Sequence, residues 1–384
     1  MKHARLLLPV FVTVAVGAAI CSVALTKESV FGKQGNTLPT TGRGLYLVSC
    51  AACHGSDGRG APASMVGFDV PLPDFTDCNF TTREAAADWI NVAMEGGPAR
   101  GFSEIMPAFG DSLTQEQIAK ILLHIRTFAN CDEWPRGELN LPRALYTTKA
   151  YPEDELVLES FIKTDGLDKI SNKIIYEHRI GAHDQVELAV PFGWNKLESN
   201  DRPDHTEWNS GIGDITLGAK HVLFHSMTSQ SIVSVGTDVL LPTGDEDEDF
   251  GNGTMVFEPY LAYGQLFPAD FFLQFQGGVE LPCEDEHVQD EAFWKMAMGR
   301  TFSLGRYGSS WSPMVEILGS KNLDRGQDCH WDIVPQIQIS LNRRQHVRLA
   351  AGVRMPLNQT EQRNPIYAVY LLWDTFDGGF FEGW

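Results

Sequence analysis

The sequence predicts an α+β multidomain chain: an all-α segment over about 39–132, then an antiparallel β-barrel of about 12 strands. Three observations predict it. Apolar residues recur at helical spacing up to about residue 132 and at every second position from about residue 155. A charged stretch with Pro135, Pro142 and Pro152 lies between the two regimes. At 384 residues the chain exceeds one small domain and suits two or three.

In chain order, Lys2 and Arg5 precede an apolar run from Leu6 to Leu25, and Ser22-Val23-Ala24 offers a small-x-small cleavage site. Residues 1–26 therefore read as a cleaved signal peptide, with an uncleaved anchor as the alternative, and either exports the chain. Residues 27–38 are a polar spacer, 39–132 the helical domain, 133–154 an ordered or semi-rigid linker and 155–384 the β domain. Hydrophobic content of 43% suits a folded protein. A formal charge of −20 argues against nucleic acid, whose phosphates repel it, and suits docking on basic partners or plain solubility.

Cys50-Ala51-Ala52-Cys53-His54 is the pattern that attaches a c-type haem. Two thiols separated by two residues reach one edge of a porphyrin as thioethers, and the next residue, His54, falls over the iron as its proximal ligand. The surroundings are as specific as the motif. Gly42-Arg43-Gly44-Leu45-Tyr46 precedes it, a glycine-rich turn Gly55-Ser56-Asp57-Gly58-Arg59-Gly60 follows, and Met106-Pro107 lies far downstream. Thr114-Gln115-Glu116-Gln117 is a capping-box pattern, and Ile118, Ile121, Leu122, Ile125 and Phe128 form the stripe of the helix it starts.

These residues resemble class I cytochrome c. The resemblance implies one covalent haem c, with Cys50 and Cys53 as attachment sites and His54 and Met106 as iron ligands. It also implies that Gly42 and Tyr46 sit where the first helix crosses the last. Met65 and Met94 are competing methionines, expected instead in core packing, and His124 stands where an aromatic is usual. With both axial positions filled, the iron would transfer electrons rather than turn over a substrate. No Ser-His-Asp set, phosphate loop or carboxylate pair stands out elsewhere.

The second region alternates persistently. Val347, Leu349, Ala351, Val353 and Met355 share one face against Arg348, Ala350, Gly352 and Arg354, while Ile333, Pro335, Ile337 and Ile339 oppose Gln336, Gln338 and Ser340. About twelve such segments run near the length a tilted membrane strand needs. A soluble sandwich also alternates. Three features favour the membrane: a polar face rich in Gln, Arg, Glu and Lys, tryptophans (Trp194, Trp208, Trp294, Trp311, Trp331, Trp373) near strand ends, and short turns alternating with longer acidic loops. Arg348, Arg354, Lys295 and Lys220 are candidates to line a lumen. Asp245 to Asp249, and Glu284 to Glu291 with His287, attract cations or are solvated loop tips.

Cys78, Cys131, Cys283 and Cys329 remain. In an oxidising compartment they form two bridges, most simply Cys78–Cys131 and Cys283–Cys329, or stay as buried thiols; spacing alone does not decide.

A cytochrome joined to such a barrel resembles, in architecture, the fused cytochrome–porin proteins of bacterial iron oxidisers and extracellular electron-transfer systems. Separately, Gly211 to Lys220 looks like a strand of a barrel family linked to phenol-degradation gene clusters. The expected function is an outer-membrane electron conduit, with the haem domain plugging or capping the barrel. Electrons would pass between periplasmic carriers, such as other cytochromes, and an external donor or acceptor. Outer-membrane lipid and redox proteins are the expected partners. The alternatives are a transport porin with a redox-sensing cytochrome plug and a periplasmic cytochrome with a soluble β docking domain.

Overall fold

The structure, a computed structural model, describes residues 38–164, 168–199, 202–284, 289–304, 309–324, 328–361 and 363–384. The expected signal peptide and His287 lie outside the described residues. From Pro39 to Trp384 the chain forms one unit.

Among the described residues, six α-helices build its first part: α1 (Gly42–Ser49), α2 (Ala51–His54), α3 (Ala63–Val66), α4 (Cys78–Thr81), α5 (Ala86–Glu95) and α6 (Gln115–Ile125). The Thr41 hydroxyl caps α1 by accepting from Gly44 N–H, and Thr114 and Gln117 form the anticipated capping box on α6. α1 crosses α6 at Gly42, where a Cβ would lie 2.1 Å from the Lys120 carbonyl oxygen, so only glycine permits that approach. Tyr46 fills the crossing, edge-on to His124 at 5.4 Å and to Phe128 at 5.2 Å. His124 thus substitutes for an aromatic ring in packing. Leu45, Tyr46, Phe75, Leu113, Ile118, Ile121 and Ile125 complete the core. Cys78 and Cys131 are disulfide-bonded, tying α4 to the chain beyond α6.

Fourteen strands follow among the described residues: β1 (Glu155–Lys163), β2 (Lys169–Ile180), β3 (Asp184–Ser199), β4 (Arg202–Ile212), β5 (Thr216–Ser226), β6 (Ser231–Leu240) and β7 (Val256–Phe267). β8 (Phe271–Pro282), β9 (Glu291–Arg300), β10 (Phe302–Leu304), β11 (Ser309–Asn322), β12 (His330–Ser340), β13 (Val347–Pro356) and β14 (Ile366–Asp374) complete the set. β4 and β5 pair with successive lengths of β3 and make one broken stave, and β9 and β10 do the same against β11. β1 pairs with β14, so twelve antiparallel staves close into a barrel. No helix among the described residues is long and apolar enough to cross a membrane.

The barrel is inside out relative to a water-soluble domain. On β2, Glu177 and Arg179 are 3% and 4% exposed, while Ile174, Tyr176 and Ile180 on the opposite face are 44 to 50% exposed. On β12, Asp332, Gln336 and Gln338 are buried, while Trp331 and Ile337 are exposed. Water solvates such an outer face poorly, a bilayer solvates it well, and a closed barrel leaves no sheet edge unpaired. Trp311 and Trp373 lie toward the end where short turns join the strands. Trp194, Trp208 and Trp331 lie toward the end with the longer loops. The predicted girdles are therefore present.

Cys283 and Cys329 are free, against the expected second bridge. They follow β8 and precede β12, with the stave of β9 and the strand β11 between them.

Candidate haem site and a hairpin in the lumen

Cys50, Cys53 and His54 sit on one helical turn at the junction of α1 and α2. Cys53 N–H and His54 N–H donate to the Cys50 carbonyl at 3.2 and 2.9 Å. Both thiols are free and half-buried. Burial first, and Cys53 second, push the Cys50 thiol up to about 11, so it stays protonated at neutral pH. His54 stacks on Phe75 at 4.9 Å, and burial lowers its basicity. Its Nδ1 is buried without a hydrogen-bond partner.

The glycine-rich turn fastens this group. Tyr46 Oη donates to the Gly55 carbonyl at 2.7 Å, Gly60 N–H to the His54 carbonyl at 2.9 Å, and Ala61 N–H to the Cys53 carbonyl at 2.7 Å. Gly58 has φ of +79°, and a Cβ there would press into Phe128.

Met106 closes the loop after α5. Its carbonyl accepts from Gly97 N–H at 2.9 Å, and its side chain is half-buried. Of the competing methionines, Met94 packs in the core as expected, whereas Met65 is 78% exposed, against expectation. Two free thiols a helical turn apart, an imidazole nitrogen left unpartnered in a buried setting and a half-buried thioether form a donor set that suits a covalently held haem.

Sequence reasoning missed the role of the segment expected to be a linker. Residues 139–154 rise into the lumen as a hairpin and return to the same mouth. The two legs touch where Asn140 bonds Glu153 and Lys149 at 3.2 and 3.1 Å. Polar lumen residues from most of the wall hold it. Gln274 donates to the Pro142 carbonyl at 2.8 Å, Tyr370 to the Arg143 carbonyl at 2.7 Å and Lys220 to the Lys149 and Tyr151 carbonyls at 2.9 Å each. Glu316 accepts from Tyr146 N–H and from the Thr147 hydroxyl at 2.6 Å. Arg143 pairs with Glu155, Glu159 and Glu177 at 3.0–3.5 Å. These buried wall groups were visible in the alternation as a polar face; nothing in the sequence said that the partner was the chain itself.

The hairpin tip, Tyr146, faces a cavity of about 170 Å³ in the loop-side half of the barrel, lined also by Glu280, Glu291, Lys295, Asp332 and Arg354. Arg354 and Lys295 thus line the lumen as expected. Arg354 and Arg363 both pair with the buried Asp332. In the acidic loop, Asp249 bonds Lys169 at 2.7 Å, and among the described residues no cluster of three or more His, Cys, Asp or Glu side chains is placed to hold a metal ion.

The helical domain stands at the short-turn mouth rather than in the lumen, and its contacts run through loops. Arg83 pairs with Asp154 at the foot of the hairpin and lies 4.3 Å over the Phe376 ring of the C-terminal tail. In the other direction, Arg344, in the turn between β12 and β13, lies 4.5 Å over Phe102 of the helical domain.

Residues 37–125 match the family model "Cytochrome C oxidase, cbb3-type, subunit III". Residues 157–333 match the model "Putative MetA-pathway of phenol degradation". No curated protein matches the chain. Among solved structures, an outer membrane channel from Pseudomonas putida F1 is 12% identical with a TM-score of 0.41, over 61% of this chain and 99% of that one. The KdgM porin is 11% identical with a TM-score of 0.36, over 57% and 98%. The NanC porin is 7% identical with a TM-score of 0.39, over 56% and 97%. The chain joins a cytochrome c domain, which implies haem c, to a barrel of outer-membrane type.

Proposed function

We propose that this chain is an electron-transfer protein of the outer membrane that holds one haem c through Cys50 and Cys53, with His54 and Met106 on the iron. The haem supplies a one-electron couple. Tyr46 and the glycine-rich turn fix the backbone that presents His54, and the loop closed at Gly97 and Met106 presents the thioether. By the rule that outer-membrane barrels carry short turns on the periplasmic side, the cytochrome faces the periplasm, where soluble redox proteins reach it.

The observation that carries this reading is the hairpin. A lumen filled to its middle by 139–154 is a blind well open toward the loops, not a solute channel. One haem at one mouth does not bridge a hydrocarbon core of roughly 30 Å. An external donor or acceptor therefore enters the well above Tyr146, or a partner cytochrome completes the path. The inside-out surface disfavours a soluble docking domain. The transport-porin alternative draws on one contact, the Arg83–Asp154 pair that links the cytochrome to the hairpin foot.

Haem-loaded protein in proteoliposomes decides between them. Electrons should pass from an external reductant to an enclosed acceptor cytochrome, sucrose should be excluded, and His54→Ala should stop electron flow without admitting sucrose. Sucrose uptake that follows the haem oxidation state would instead make the chain a redox-gated porin.

A further inference from the structure

We propose that the barrel itself holds the Met106 loop in place, with Arg344 as the positioning residue, so that the wall of the barrel sets how firmly the thioether stays on the iron. This deepens the reading above and rests on Met106 being the ligand.

The loop runs from Gly96 to Met106. It contains the short helix Gly97–Arg100 and turns at Gly101, whose φ is +68°. Within the loop, Phe102 N–H donates to the Gly97 carbonyl, Gly97 N–H donates to the Met106 carbonyl, and Met106 N–H donates to Ser103 at 3.2 Å. A displacement at 101–102 is therefore passed through two backbone bonds to residue 106. Arg100 pairs with Asp88 on α5, which anchors one side of the loop to its own domain.

The other side is anchored to the barrel. Arg344 Nη2 donates to the Gly101 carbonyl at 2.9 Å, and the guanidinium carbon lies 4.5 Å from the centre of the Phe102 ring. Its remaining Nη1 is spent on the tail: it donates to the Asp377 carbonyl and to Glu382, both at 2.9 Å. The tail in turn touches the loop. A Cβ on Gly101 would meet Gly383 Cα at 2.5 Å, and Gly383 accepts from Arg343 N–H at 2.7 Å. A planar fork that bonds two segments while stacking on an aromatic ring is a task for arginine that lysine performs only in part.

The test uses the full-length, haem-loaded protein in detergent. The ferric thioether charge-transfer band reports Met106 on the iron, and added imidazole displaces it. Arg344→Gln and Phe102→Leu should bind imidazole roughly tenfold more tightly than the wild type, about one 1.4 kcal/mol step. Arg344→Lys should fall between. Arg300→Gln removes a guanidinium that stacks on Phe271 and Phe302 of the barrel alone and should match the wild type. Heat-modifiable gel mobility confirms a closed barrel in each, and Phe102→Leu leaves the barrel sequence whole should Arg344 variants fail to assemble. Wild-type imidazole affinity in both Arg344→Gln and Phe102→Leu, with the band present, overturns the clamp and leaves the ligand reading intact. Absence of the band from the wild type overturns the ligand reading and the clamp with it.

Discussion

Lys220 Nζ lies 2.9 Å from the carbonyl oxygen of Tyr151, and both residues are buried where the returning leg of the hairpin meets β5. The same ammonium donates to the Lys149 carbonyl, so one side chain satisfies two carbonyls of the hairpin. The lumen is thus closed by hydrogen bonds to the hairpin backbone together with apolar packing, in which Leu139, Leu141 and Leu145 of the hairpin meet apolar wall residues.

Lys220→Met should loosen that closure. Each buried carbonyl left without a donor costs about 1–3 kcal/mol, so transient openings should become at least about tenfold more frequent. Single-channel recording in planar bilayers checks this: rare, brief events in the wild type and frequent ones in the variant. Equal event rates would place the closure elsewhere.

Arg143→Leu should damage assembly rather than gating. It leaves Glu155, Glu159 and Glu177 without their shared cation in a buried setting, at a cost of about 3–5 kcal/mol. The temperature at which the barrel loses its compact gel mobility should fall clearly. A variant as heat-resistant as the wild type would mean that water or the carboxylates' own protons compensate.

Gly42→Val should act only on the cytochrome. The new side chain meets the Lys120 carbonyl and forces α1 from α6, a steric cost of about 1–3 kcal/mol or more. Haem-absorbance unfolding in urea should shift to a lower midpoint while barrel gel mobility stays the same.

Removing the Cys78–Cys131 bridge with a Cys78→Ser/Cys131→Ser pair frees a loop spanning 53 residues, worth roughly 4 kcal/mol in chain entropy. The same urea titration should show this, and reductant should reproduce it in the wild type only.

The haem motif, the α6 capping box, the Gly42 crossing and the number of staves were all legible because each rests on local spacing. A thiol pair and a histidine within five positions, a glycine four residues before a tyrosine, and a period of two need no tertiary knowledge. The hairpin was not legible. Its residues carry neither helical nor strand period, and their burial depends on Glu316, Gln336 and Tyr370, which lie some 170 to 230 positions away in the chain. Arg344 was hidden for the same reason: an arginine in a short turn reads as solvated until Gly101 and Phe102 arrive beside it. Cys283–Cys329 failed because spacing along the chain says nothing about how many staves stand between two loops.

Both feet of the lumen hairpin stand at one mouth, beside the cytochrome. The stopper is therefore unthreaded: it can be drawn out the way it went in, with no seam parted and no chain end passed through a hole. A tug on the helical domain away from the membrane reaches the stopper through the continuous backbone between Cys131 and Leu139, and it pulls along the direction of withdrawal. Whatever grips the cytochrome from the periplasm holds a handle on the well.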